Sequence, residues 1–385
     1  MVEVTYKYRI YPTRQQQDQI ARIIGTVRFV WNFFLAMKKQ EYLLSFANIS
    51  YNKCSAELTK LKHTKGYEWL LESDSTALQT ALKYLDEAYK SFFRGNNGFP
   101  KFKSKKNRFQ SYTTKNNNSS IRFENENRYL RLPKVGLVRI HCSRPISGKI
   151  QRATISITPT GKFFVSIICL QEKPELKTKV QGKACGIDLG EKNLVILSDG
   201  TTVPASRPLE KLLRRLALEQ KRLSRKTKGS RSYEKQRLKV AKLHERIANI
   251  RNDSLQKASS SLIREYSFIG TENLAVKDML QSSNLKVSAR RIADSSWGEF
   301  LRMLEYKASW YDRSLIKVGQ YFPSSQLCSV CNNKNTEVKD TRIRKWICPE
   351  CGTIHDRDVN AAINIKNEAL RLYGESLTAF VPSFS

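Results

Sequence analysis

Two cysteine pairs, Cys328-Ser329-Val330-Cys331 and, sixteen residues on, Cys348-Pro349-Glu350-Cys351-Gly352, carry the most specific chemistry in the chain. Thiolates at C-x2-C…C-x2-C spacing complete the tetrahedron that Zn2+ takes in a structural ribbon. A redox dithiol is the competing reading. His355 lies just past the second pair, but four thiols already fill the shell, so it is left outside. A second set of residues is acidic. Asp188 closes the apolar run in Cys185-Gly186-Ile187-Asp188-Leu189-Gly190, Glu272 closes Phe268-Ile269-Gly270-Thr271-Glu272, and Asp358 opens a helical run through Val359, Ala361, Ala362 and Ile365. A carboxylate in an apolar run is costly to bury, and a divalent cation is one way to compensate it. Three acids on separate elements could converge on two Mg2+ or Mn2+ ions, which activate water and stabilise the leaving oxygen of a phosphodiester. The plainer reading of Asp188 is a residue that closes a turn. Neither a Ser–His pair nor a P-loop competes with the metal reading.

The elements around these residues have to hold them. After Asp188 a second apolar run, Asn193-Leu194-Val195-Ile196-Leu197, turns at Ser198-Asp199-Gly200. Strand, acid and hairpin in that order are how an RNase H-like sheet begins. Further upstream, Val2, Val4, Tyr6, Tyr8 and Ile10 alternate with polar residues, which predicts an opening strand. Thr13 and Gln16 read as a capping box for a helix, with a break between two helices at Gly25. A third helix is predicted around 75–93, with Leu78, Leu82, Leu85, Ala88 and Tyr89 on one face. From 121 to 170 the pattern is β, and Thr158-Pro159-Thr160-Gly161 marks a hairpin. These pieces predict a small barrel interrupted by a helical insert at about 12–108, then a polar linker over 172–183.

Lys and Arg number 68 against 35 acids, a formal charge of +33 with a pI near 9.9. So large an excess argues against an enzyme of small metabolites and for a nucleic-acid partner rather than a membrane. No apolar run reads as a membrane span and the first residues do not form a signal peptide, so a cytoplasmic site is expected. Cys54, Cys142, Cys169 and Cys185 are scattered and read as reduced core thiols. Positive charge concentrates in two places. Lys101, Lys103, Lys105 and Lys106 interleave with Phe99 and Phe102 in a stretch without helical period, suited to a phosphate backbone or to a solvated linker. Residues 207–251 carry 16 basic residues against 4 acids, with Leu212, Leu213, Leu216, Leu223, Leu238, Leu243 and Ile247 as an apolar stripe. They predict a helical hairpin, broken at Lys228-Gly229-Ser230, whose outer face offers Arg214, Arg215, Arg222, Arg225 and Lys226 to nucleic acid.

Taken together, these motifs resemble the TnpB family, transposon-encoded relatives of the type V CRISPR nucleases. The resemblance rests on Gly186-Ile187-Asp188-Leu189-Gly190, Thr271-Glu272-Asn273-Leu274, the four cysteines and Asp356-Arg357-Asp358-Val359-Asn360-Ala361-Ala362. It extends to Gly98-Phe99-Pro100-Lys101-Phe102-Lys103, Arg246-Ile247-Ala248-Asn249, Ser295-Ser296-Trp297-Gly298-Glu299-Phe300 and Tyr306-Lys307, in the family's order along the chain. It implies an α/β multidomain fold: a wedge-like β-barrel (1–11 with 109–180) interrupted by a helical recognition domain (12–108), and a RuvC-like, RNase H-like nuclease domain (181–326 with 353–372) bearing the basic hairpin at about 207–257. A zinc ribbon (327–352) is inserted in the latter, and 373–385 is a tail. It implies Asp188, Glu272 and Asp358 as catalytic acids binding Mg2+ or Mn2+, with Asp356 the weaker candidate for the third position, and zinc on Cys328, Cys331, Cys348 and Cys351. The implied partners are a non-coding guide RNA from the transposon end and double-stranded target DNA with one strand displaced, one monomer acting per guide and cutting beside a short adjacent motif. An unguided nuclease or transposase, and a guide-directed DNA-binding regulator, are the alternatives.

Overall fold

Alternation of Val4, Tyr6, Tyr8 and Ile10 buries one face of β1 (Val2–Tyr11), as the period of two requires. The computed structural model describes residues 1–46, 49–173, 182–190, 192–274, 294–340 and 342–378. The chain forms two units, Met1–Glu172 and Lys173–Ser385.

In the first unit α1 (Arg14–Ser45), α2 (Tyr51–Lys62) and α3 (Ser75–Phe93) intervene between β1 and six further strands. These are β2 (Gln110–Lys115), β3 (Arg122–Glu124), β4 (Tyr129–Leu132), β5 (Gly136–His141), β6 (Lys149–Ile157) and β7 (Phe163–Gln171). All pair antiparallel in the order β2-β6-β7-β1-β5-β4-β3. β1 pairs β7 along nine residues but β5 only through Arg9, Ile10 and Tyr11. The sequence predicts a small barrel; among the described residues the ladder is open, with β2 and β3 at its edges. A three-residue β3, turned back at once through Asn125, Glu126 and Asn127 at positive φ, offers little backbone with which to close it.

Thr13 caps α1 with the reciprocal Gln16 bond, as the sequence predicts. The predicted break at Gly25 is absent. Glycine costs a helix about 1 kcal/mol, but Ile23, Ile24, Thr26, Val27 and Val30 around it are buried, and their packing outweighs the local propensity. A second correction concerns α1. Contrary to the sequence expectation, it holds an 18-residue window long and apolar enough to cross a membrane by composition, yet half of that window is buried inside the protein, as in a core helix.

The second unit is built on β8 (Ala184–Asp188), β9 (Asn193–Leu197), β10 (Thr202–Pro204), β11 (Phe268–Glu272) and β12 (Ser314–Val318), ordered β10-β9-β8-β11-β12. The hairpin strands are antiparallel, whereas β8, β11 and β12 run parallel. Between the two sets come α4 (Pro208–Ser224) and α5 (Arg231–Glu265), the predicted basic hairpin, with α5 running past 257. Gly229 at φ +88° and the Ser230 cap on Tyr233 N–H make its turn. The seam is Leu216, Val240, Leu243 and Ile247; Leu213 and Leu238 of the predicted stripe are only half-buried. α5 and α6 (Trp297–Trp310) cover one sheet face through Ile187, Val195, Leu262, Phe300 and Leu304. The other face takes α7 (Arg357–Thr378), which lies on β8, β11 and β12 and runs past the predicted end at 372. The short hairpin β13 (Lys345–Ile347) and β14 (Ile354–Asp356) leads directly into it. Most of the predicted linker, and the tail beyond 378, lie outside the described residues.

Candidate active site and metal centre

Two parallel strands end alike. On β8 Gly186 precedes Asp188 by two residues, and on β11 Gly270 precedes Glu272 by two. Gly186 and Gly270 are register partners, so the ladder continued by two residues sets Glu272 beside Asp188 on the same face. That face carries α7, and the glycines are what let it approach. A Cβ on Gly186 would sit 2.0 Å from the Ala362 carbonyl oxygen, and one on Gly270 2.7 Å from Ala369 Cβ. Asp358, Ala362, Ile365 and Ala369 share the sheet-facing side of α7 at helical spacing. The third acid is therefore aimed at the ends of both strands.

The three carboxylates interact electrostatically, although their oxygens do not all lie within 4.8 Å of one another. The carboxyl of Asp188 is pushed up to about 8, first by burial and then by the neighbouring charges of Glu272 and Asp358, against the pull of Arg357 and Arg344. Ser324 Oγ donates to Glu272 Oε1 at 2.7 Å. Arg344 grips both oxygens of Asp358, at 3.1 and 3.2 Å. Asp356 plays a different part, because its Oδ1 accepts from the N–H groups of Asp358 and Val359 and so caps α7. A hard, all-oxygen donor set with mutual repulsion fits Mg2+ or Mn2+.

Among the described residues, the cysteines alone bring three or more candidate ligand atoms within 4.8 Å of one another, and all four do so: Cys328, Cys331, Cys348 and Cys351. Two matching turns create the cluster. In each, the N–H of the residue after the second cysteine, Asn332 or Gly352, donates to the carbonyl of the first at 2.9 Å. Both residues have positive φ, 61° and 69°. The first cysteine of each pair also donates its N–H two residues past the second, to Asn333 or Thr353. Two such knuckles facing each other are a fit cradle for tetrahedral zinc. His355 is buried, lies against Trp346 with the rings tilted, and sits 3.1 Å from Cys328 Sγ through Nε2, a partner of the thiol outside the four-sulfur group. Cys54, Cys142, Cys169 and Cys185 are free thiols.

The cationic candidates divide. Lys101, Lys105 and Lys106 are exposed. Lys103, also exposed, lays its ammonium over the Trp31 ring, 3.9 Å from its centroid, while Asn32 holds the Lys103 backbone from both sides. Arg214, Arg215, Arg225 and Lys226 are exposed, and Arg222 pairs with Glu219. Several polar residues make contacts that a reading of the sequence does not supply. Asp294 is buried, accepts from the N–H groups of Leu209 and Glu210 at the start of α4, and pairs with Arg251 at 2.6 Å. Lys307 is buried against Gln256, Ser259 and Ser260, and burial pushes its ammonium down to about 8. Asn360 and Asn364 of α7 bind the segment leading into the first knuckle.

The second unit thus defines a class of α/β domain: acids end two parallel strands beneath one helix, and a four-thiol ribbon is spliced in just before that helix. Comparison with known proteins makes the assignment specific. Family profiles described as "Probable transposase" and "Cas12f1-like, TNB domain" match residues 167–283 and 297–365. A third, "Helix-turn-helix domain", matches residues 1–43, which here form one strand and part of one unbroken helix. A Streptomyces pristinaespiralis protein named "Putative RNA-guided DNA endonuclease" is 37% identical over 94% of this chain and 89% of its own length. InsQ of Escherichia coli K12, named likewise, is 33% identical over 94% and 90%. A cryo-EM structure of a Cas12f1-sgRNA-target DNA complex aligns over 95% of this chain and 99% of that one at 14% identity, with a TM-score of 0.37, too low a likeness to bear on the fold. The chain belongs to the TnpB family.

Proposed function

We propose that this protein is an RNA-guided DNA endonuclease that hydrolyses phosphodiester bonds at Asp188, Glu272 and Asp358. The observation that carries the reading is the pair of Gly-x-acid strand ends beneath α7, in a chain this similar to relatives so named. The three-plus-two sheet supports the reading of an RNase H-like, RuvC-type domain, and the helices set between β1 and the rest of the seven-stranded sheet support that of a wedge interrupted by a recognition domain. Asp188, Glu272 and Asp358 would hold the divalent cations, which when bound supply an activated water and charge for the leaving oxygen. Ser324 fixes one oxygen of Glu272, and Arg344 must leave Asp358 for a cation to reach both of its oxygens. The cationic faces of the lysine loop and the α4–α5 hairpin hold nucleic-acid backbone, while base pairing with the guide reads sequence after a short adjacent motif is recognised. Double-stranded DNA and a transposon-end RNA are the partners, inside the cell.

Purification from cells carrying the native locus, followed by sequencing of the bound RNA, tests this. One dominant RNA that ends in a variable segment, and that directs cutting of matching DNA, is expected. Cutting that survives ribonuclease treatment would favour an unguided nuclease, and bound RNA without any cutting would favour a regulator.

Zinc has its own expected effect. The ribbon's small core is Cys328, Val338, Trp346 and Cys348, too little apolar burial to fold alone. A zinc-selective chelator is expected to release one zinc per chain, expose Trp346 to solvent and lower cleavage at least about tenfold with Mg2+ in excess. Tryptophan fluorescence and cleavage, measured on one sample, check both; full activity at zero zinc content would refute the link.

A further inference from the structure

We propose that Ser324 is a positioning residue for Glu272 and the point at which the zinc ribbon acts on the nuclease site, an inference that rests on the reading of the three acids given above. Ser324 is buried and lies on the segment leading from β12 into the ribbon. Its hydroxyl donates to Glu272 Oε1 at 2.7 Å, and its carbonyl accepts from Asn364 Nδ2 at 2.8 Å. Asn364 also donates to the Leu327 carbonyl, at 2.7 Å, and Asn360, one turn earlier on α7, donates to that same carbonyl at 2.7 Å. Asn360 Oδ1 then accepts the N–H of Ser329, between Cys328 and Cys331, at 3.0 Å. Ser324 and both asparagines are buried, and the bond from Asn364 to the Ser324 carbonyl is fully buried, while the others are part-buried.

The result is a closed polar path. It begins at the first cysteine knuckle, runs through two side chains of the helix that carries Asp358, and ends on the carboxylate of Glu272. When zinc fixes the knuckle, Ser329 N–H and Leu327 C=O are held in place, and with them Asn360, Asn364 and the backbone of Ser324. Its hydroxyl then fixes the rotamer of Glu272 toward the neighbouring acids. Outer partners that orient a ligating carboxylate change metal affinity by about 10- to 100-fold. Zinc occupancy and divalent-cation affinity are therefore linked, and linkage is reciprocal.

Mn2+ binding to the full-length, zinc-loaded protein without nucleic acid, followed by electron paramagnetic resonance, tests this, with zinc content measured on each sample. Ser324→Ala is expected to weaken the Asp188-dependent Mn2+ site about tenfold, and Ser324→Thr, which keeps the hydroxyl, to restore it to within about threefold. Zinc removal is expected to weaken that site in the wild type more than in Ser324→Ala, because the alanine variant has already lost the path. A merely structural serine would lower the melting temperature and leave Mn2+ affinity unchanged, which overturns the proposal, as do equal losses on zinc removal. If wild type and Asp188→Ala bind Mn2+ alike, the assignment of the acids fails and the proposal falls with it.

Discussion

Gly186→Ala is expected to destabilise the protein by about 3 kcal/mol or more and to abolish cleavage, although no charged, metal-ligating or cationic group is touched. The added Cβ would lie 2.0 Å from the Ala362 carbonyl oxygen and 2.6 Å from the Lys366 backbone nitrogen, both in the body of α7. Neither atom can turn aside as a flexible side chain would, so the whole helix must lift. Asp358 in its first turn would lift with it, away from Asp188 and Glu272. Gly270→Ala meets Ala369 Cβ at 2.7 Å and the Ile365 carbonyl oxygen at 3.0 Å, so it should do less damage. Gly298, with nothing within 4 Å of an added Cβ, is the control and should tolerate alanine. Denaturant melts of the three variants should rank them Gly186, Gly270, Gly298; a Gly186→Ala protein as stable as wild type would contradict the described seat of α7.

Asp188→Ala is expected to reduce guided cleavage at least about a thousandfold while RNA affinity stays within about twofold. Retained cutting would remove Asp188 from the mechanism. The isosteric Asp188→Asn has a second, opposite consequence. Burial and two neighbouring acids push the Asp188 carboxyl up to about 8, so the folded state holds a proton that the unfolded chain releases near 4. Stability of the Mg2+-free protein therefore falls as pH rises from the ordinary carboxylate range toward 8. The asparagine variant lacks that loss and should be more stable at pH 8 by about 1 kcal/mol or more, but equal to wild type near pH 4. Melts at several pH values, with zinc retained and Mg2+ omitted, measure it; identical pH slopes would show that Asp188 titrates normally.

What the sequence reveals depends on how far apart the cooperating residues lie. The cysteine knuckles and the Gly-x-acid strand ends are legible because spacing of two or three residues fixes which side chains share a face. The Thr13–Gln16 cap is legible for the same reason. Gly25 misleads because propensity is local whereas the burial of Ile23, Ile24 and Val27 is not. Val240, part of the hairpin seam, is hidden among lysines that dominate its neighbourhood. Ser324, Asn360 and Asn364 do not announce their partners in the sequence. Their pairing joins segments that only the fold brings together, as does the grip of Arg344 on Asp358. One general signal exists: two asparagines four apart on a helix otherwise rich in alanine and isoleucine, where solvent exposure alone would not require them.

Chain order gives the seat of α7 a consequence during synthesis. Gly186 and Gly270 leave the ribosome long before Ala362 and Ala369, the residues that rest on them. Until then one face of the parallel sheet has no cover, and two of its acids have no third. A nascent chain halted anywhere before α7 is therefore an incomplete nuclease with an exposed, aggregation-prone β surface, fit for chaperones and proteases rather than for DNA. Asp358 thus joins the other two acids only after both strands that carry them have been made.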